Sequence, residues 1–115
     1  MSSLDTPTAA PLTAPVETGS AHLLVGHNFV RLVLSGDISA DMVAELSEVM
    51  DDAVECGLPV EIDAHHITFM DSAGVALIAQ LASRLSQRPK VLRAPETVQF
   101  LLEITGVDQV VDLLH

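Results

Sequence analysis

From Phe29 to Ser35 the chain alternates cleanly, with Val30, Leu32 and Leu34 on one face and Arg31 and Ser35 on the other. A period of two marks a strand with one buried side. His22–Val25 is a short strand candidate ahead of it, joined by a Gly26-His27-Asn28 turn, and Gly36-Asp37 is expected to end the longer strand. From Asp41 to Cys56 the period lengthens to that of a helix. Met42, Val43, Leu46, Val49, Met50, Ala53 and Val54 form the inner stripe, and Asp41, Glu45, Glu48, Asp52 and Glu55 line the opposite side. Ser39 is the expected N-cap, and Gly57 closes the helix as a C-cap does.

Val60–Asp63, opened by Pro59, is a second alternating strand. Strand, helix and strand in this order predict a right-handed crossover and a partly parallel sheet. Residues 64–70 read as a connection with buried anchors. The next helix, Ser72 to Leu85, carries Val75, Leu77, Ile78, Leu81, Ala82 and Leu85 around most of its circumference and is expected to be the most buried one. Lys90–Arg93 is a third parallel strand candidate, ended by Pro95. Glu96–Ile104 follows as a short amphipathic helix, with Val98, Leu101 and Leu102 inward, Phe100 a candidate for the same face, and Thr105-Gly106 at its end. Val107–Leu114 returns as a last short strand or a turn. Residues 1–19 follow neither period. They are mostly Ser, Thr, Pro and Ala, with Pro7, Pro11 and Pro15 four apart, a composition that predicts a disordered tail. The expected architecture is therefore a tail (1–19) and one small α/β domain (20–115). Its mixed sheet has four to five strands, with helices packed mainly on one face.

Composition narrows the function. Of 115 residues 49% are apolar but only 3% aromatic, with no Trp or Tyr, so the core is aliphatic and the rings that stack on single-stranded nucleic acid are scarce. The formal net charge of -11, from 16 acids against 5 Lys and Arg, repels phosphate backbones and anionic membranes. No nucleic acid and no direct membrane contact are expected. A basic protein partner suits the charge, as does a bland role in solubility. Cys56 is the single cysteine, which excludes an internal disulfide and a thiolate zinc cluster. No signal-peptide pattern and no run of roughly 18 apolar residues is present, so the cytoplasm is the expected location.

The candidate chemistry sits at Asp71-Ser72-Ala73-Gly74, where an acid and a hydroxyl open the most apolar helix. A serine nucleophile needs a base and an oxyanion hole, and neither a nucleophile elbow nor a glycine-lined loop accompanies Ser72. Catalysis by Ser72 is therefore not expected. His65 and His66, being adjacent, would point to opposite faces of a strand, and solvated loop histidines are the plainer account. Two readings of Ser72 stay open on the residues alone. It, or Asp71, caps the helix for about 1 kcal/mol and does nothing else. Or it accepts a phosphate, whose charge the free amides of a helix N-terminus tolerate but a docked partner does not. Gly74, lacking a side chain, is expected to let another backbone come close.

The run Thr68-Phe69-Met70-Asp71-Ser72-Ala73-Gly74-Val75 resembles the signature of STAS domains of the anti-sigma factor antagonist family. Gly36-Asp37-Ile38-Ser39, Val60-Glu61-Ile62-Asp63 and Phe100-Leu101-Leu102-Glu103-Ile104-Thr105-Gly106-Val107 agree with it in order and spacing over roughly residues 21–113. The resemblance implies a small STAS-like mixed sheet and a non-enzymatic regulator. Such a protein binds an anti-sigma factor that is also a serine kinase and thereby frees a sigma factor. It is switched off when the kinase phosphorylates the serine at the position of Ser72, and a phosphatase resets it. The implied partner surface is Asp37, Ser39, Asp71, Ser72, Ala73 and Gly74. ATP and magnesium belong to the kinase, so the chain itself needs no cofactor. The family often has Ser or Thr where Ala73 stands, and an acid where Ser39 stands. STAS-like domains also serve as unphosphorylated scaffolds on the ATPase of lipid-transport ABC systems, which is the alternative role.

Overall fold

The computed structural model describes residues 18–114, so the tail expected over 1–19 lies almost wholly outside the described residues. Strands β1 (Ser20–Val25), β2 (Val30–Ile38), β3 (Val60–Met70), β4 (Lys90–Leu92) and β5 (Asp112–Leu114) form one sheet in sequential order. β1 pairs antiparallel with β2, and every later neighbour is parallel. Helices α1 (Val43–Glu55), α2 (Ser72–Arg84) and α3 (Glu96–Ile104) are the crossovers between the parallel strands. This is the mixed five-stranded α/β sheet that the periodicities predict.

Why these residues fold so is clearest in β2. Val30, Leu32, Leu34 and Ile38 are fully buried on one face, against Leu46, Met50 and Ala53 of α1 and Val75, Ile78 and Leu81 of α2. The other face, apart from Val33, is polar. Arg31 reaches across to Glu61, with Nη2 donating to Oε1 at 2.7 Å, and the Ser20 and Ser35 hydroxyls meet at 2.6 Å. A sheet covered on one side only needs this division.

Three local expectations are corrected. Gly36-Asp37 does not end β2: the strand runs on to Ile38, with Gly36 at φ +76° and the pairing to β3 slipping on either side of it. Glycine permits that bulge, because a side chain here would meet the Thr18 carbonyl in a conformation L-residues avoid. The same slips disguise β3, whose residues 64–70 are strand rather than connection. Its burial stops alternating at Asp63, and beyond Ala64 only Ile67 and Met70 are buried. His65 and His66 lie on this irregular stretch with their rings 4.8 Å apart, edge to face, instead of on opposite sides. Finally, Ser39 makes no capping bond. The chain enters α1 through a 3₁₀ turn, Ala40–Met42, which leaves Val43 exposed rather than in the inner stripe.

One buried acid ties the sheet to the loop before α3. Burial alone would raise the Asp63 carboxyl, but the His65 amide (3.1 Å) and the Arg93 guanidinium (2.8 Å) outweigh it and hold it below its ordinary 3.8. Arg93, which makes this contact, has φ +56°. A carboxyl depressed in the fold adds stability at neutral pH that is lost as pH falls through the lowered value. Urea unfolding is therefore expected to show Asp63→Asn less stable than wild type at pH 7, by about 1–3 kcal/mol. The gap should close as pH falls from the ordinary carboxylate value through the lowered one, where the folded wild-type carboxyl is protonated too.

Candidate functional site

The site forms where β2 and β3 end side by side. The Asp71 amide donates to the Ile38 carbonyl at 3.3 Å, which sets the β2–α1 loop against the start of α2. Asp71 is the N-cap of α2: its Oδ1 accepts from the Ala73 amide at 2.9 Å and from the Gly74 amide at 3.4 Å. That decides which residue caps. Because the carboxylate does it, Ser72 stands at the first helical position with its side chain exposed. Replacing Asp71 with Ala removes this cap and is expected to cost about 1 kcal/mol in thermal or denaturant unfolding. The serine would then remain exposed on a frayed first turn.

The other predicted partner residues divide. Asp37, next to last in β2, is half-buried, and its Oδ1 is buried with no hydrogen-bond partner among the described residues. Ser39 is half-buried next to it, and Asp41 and Glu45 complete a shallow hollow of about 370 Å³ with Thr18, Gly19 and Met42. Sequence reasoning placed Asp41 and Glu45 on the solvated face of α1 and did not connect them with Asp37. Ala73 is half-buried. Gly74 is buried, and its role is corrected: a Cβ there would lie 2.9 Å from Met70 Cγ and 3.0 Å from the Ile38 carbonyl. The space that this glycine leaves is filled by the ends of the protein's own β2 and β3, which seat α2 on the sheet, not by a visiting backbone.

Asp37, Ser39, Asp71 and Ser72 thus share one end of the sheet, and the arrangement presents a hydroxyl over the first turn of a helix. Such a turn carries partial positive charge and unsatisfied amides, so added negative charge on Ser72 is compatible with the fold. His65 and His66 are exposed, and among the described residues no group of three or more His, Cys, Asp or Glu could hold a metal ion. No helix among those residues is long and apolar enough to cross a membrane.

The family model described as Mlab, STAS domain, matches residues 26–114. The chain belongs to the STAS domain family. Among solved structures, an anti-sigma factor antagonist from Mycobacterium paratuberculosis superposes with a TM-score of 0.77 at 19% identity, covering 88% of each chain. The anti-sigma factor antagonist SpoIIAA in its unphosphorylated form gives 0.67 at 19% identity, over 84% of this chain and 88% of that one. The Bacillus cell fate determinant SpoIIAA in its phosphorylated form gives 0.65 at 20% identity, over 84% and 92%. At these identities the likeness is one of fold. No curated protein matches in sequence.

The exposed aromatics were missed in the sequence. Phe100, a candidate for the inner face of α3, is 60% exposed, and Phe69 is 54% exposed one strand away. The available signal was scarcity: the chain has three phenylalanines and no Trp or Tyr, and none of the three is in the core.

Proposed function

We propose that this STAS domain is an anti-sigma factor antagonist. It binds an anti-sigma factor that is also a serine kinase, so releasing a sigma factor, and it is switched off by phosphorylation of Ser72. It acts by partner exchange rather than by turnover, in the cytoplasm, and a phosphatase restores the serine. One observation carries this: Asp71 takes the capping role, which leaves the Ser72 hydroxyl exposed at the head of α2. The neighbouring acids supply the rest of the partner surface. Asp37, with a buried oxygen awaiting a donor, and Asp41 and Glu45 beside it suit a basic group of the kinase.

Co-purification tests the reading. Recovery of a small soluble ATPase-like kinase, with binding kept by Ser72→Ala, supports the switch. Recovery of an ABC ATPase with its permease, unaffected by any change at Ser72, would replace it with the scaffold role.

A further inference from the structure

Beside the serine lies a surface that the switch does not use. Thr68, Phe69 and Met70 of β3 face Glu96, Thr97, Phe100 and Leu101 of α3 across an open furrow of about 480 Å³. The furrow exists because β4 stops at Leu92, paired with Asp63, while β3 runs on to Met70. Beyond that point α3, not a strand, flanks β3 on this side. Its apolar lip continues along the helix to Ile104, one turn after Phe100 and 61% exposed. Phe69, Phe100 and Ile104, each more than half exposed, leave apolar surface uncovered of the kind that marks an interaction site. Exposed acids, Glu96 and Glu103, flank Phe100 at four residues before and three after, and α3 has no Lys or Arg.

We infer that this furrow docks an amphipathic helix of a protein partner, with apolar anchors between Phe69 and Phe100 and basic residues against Glu96 and Glu103. The inference rests on the reading that this domain works by holding a protein partner, and it adds a second contact, independent of the hydroxyl. Aromatic and aliphatic anchors in an open groove, rimmed by one sign of charge, are what an amphipathic helix of opposite charge recognises. An acidic or neutral helix would leave the two glutamates unpaired or repelled. Ser72 does not line the furrow, so the contact does not use its hydroxyl. A partner held here could keep hold while the serine changes state.

The test is a resonance-by-resonance NMR titration of the full chain with a synthetic helical peptide of about 18 residues, leucines at helical spacing and lysines on both flanks. Shifts are expected at residues 68–70 and 96–104. Phe100→Glu, an exposed position that should fold normally, is expected to weaken the peptide by at least about tenfold, and Glu96→Lys with Glu103→Lys to do the same. Ser72→Asp should leave peptide affinity within about twofold. Loss of kinase binding in that variant with peptide binding intact therefore separates the two readings. Shifts confined to the acids of α1, or affinity unchanged by Phe100→Glu, would overturn the inference. So would furrow resonances that move with protein concentration alone, which assign the surface to a second copy. If Leu12→Asp moves them without peptide, the chain's own N-terminal segment is the occupant and the inference again fails.

Discussion

Ser72→Asp is expected to weaken the complex with the anti-sigma kinase by about a hundredfold while leaving the domain as stable as before, or slightly more so. The two halves of this prediction have opposite electrostatic origins. Within the chain, a carboxylate at the first position of α2 faces the positive end of the helix and unsatisfied amides, an arrangement worth a few tenths of a kcal/mol to about 1 kcal/mol. Across an interface, the same charge meets whatever presses on the start of α2. If a carboxylate of the partner is held about 5 Å away, the repulsion is roughly 3 kcal/mol at an effective dielectric of 20. That energy is about two decades in affinity. Ser72→Ala, which removes the acceptor but adds no charge, should bind like wild type. Calorimetry of the three proteins against one purified kinase measures the contrast. Equal affinities for Ser72→Ala and Ser72→Asp would mean that the serine lies outside the interface.

Leu77→Ala is expected to cost 2–5 kcal/mol of stability, which in a domain of this size lowers the melting temperature by roughly 10–30 °C. Leu77 is 7% exposed on the helix that holds the site, and α2 packs on α1, α3 and β3. Truncation leaves a void that close-packed neighbours refill only in part. The effect should be seen in thermal unfolding, and it should reach function indirectly. At temperatures where the variant is still folded, phosphorylation of Ser72 should proceed normally, because Asp71, Ile38 and Gly74 hold the first turn independently of Leu77. A loss below about 1 kcal/mol would show that α2 is not the core helix its burial indicates.

How much of this was written in the residues differs by element. β2 and α2 were plain because their apolar positions meet one buried face at a single period, and α3 was predicted over its observed span, Glu96–Ile104. The second half of β3 was not, because the bulges around Gly36 break its alternation, and a three-residue spacing of buried positions imitates a loop. Asp71-Ser72 was conspicuous, but which of the two caps depends on where a carboxylate oxygen lies relative to two amides. Spacing cannot tell that. Gly74 was noticed for the right property and given the wrong neighbour, since the strand that approaches it is 36 residues earlier in the chain, at Ile38. The furrow between Phe69 and Phe100 depends on β4 being shorter than β3, and a strand's length relative to its partner is a tertiary fact.

Mass-spectrometric mapping after incubation of the full chain with the kinase and ATP tests the central claim most directly. One phosphate is predicted, on Ser72, appearing in step with loss of the complex and absent from Ser72→Ala. Phosphate on the N-terminal serines and threonines alone, with Ser72 unmodified and the complex nevertheless dissolved, would contradict it.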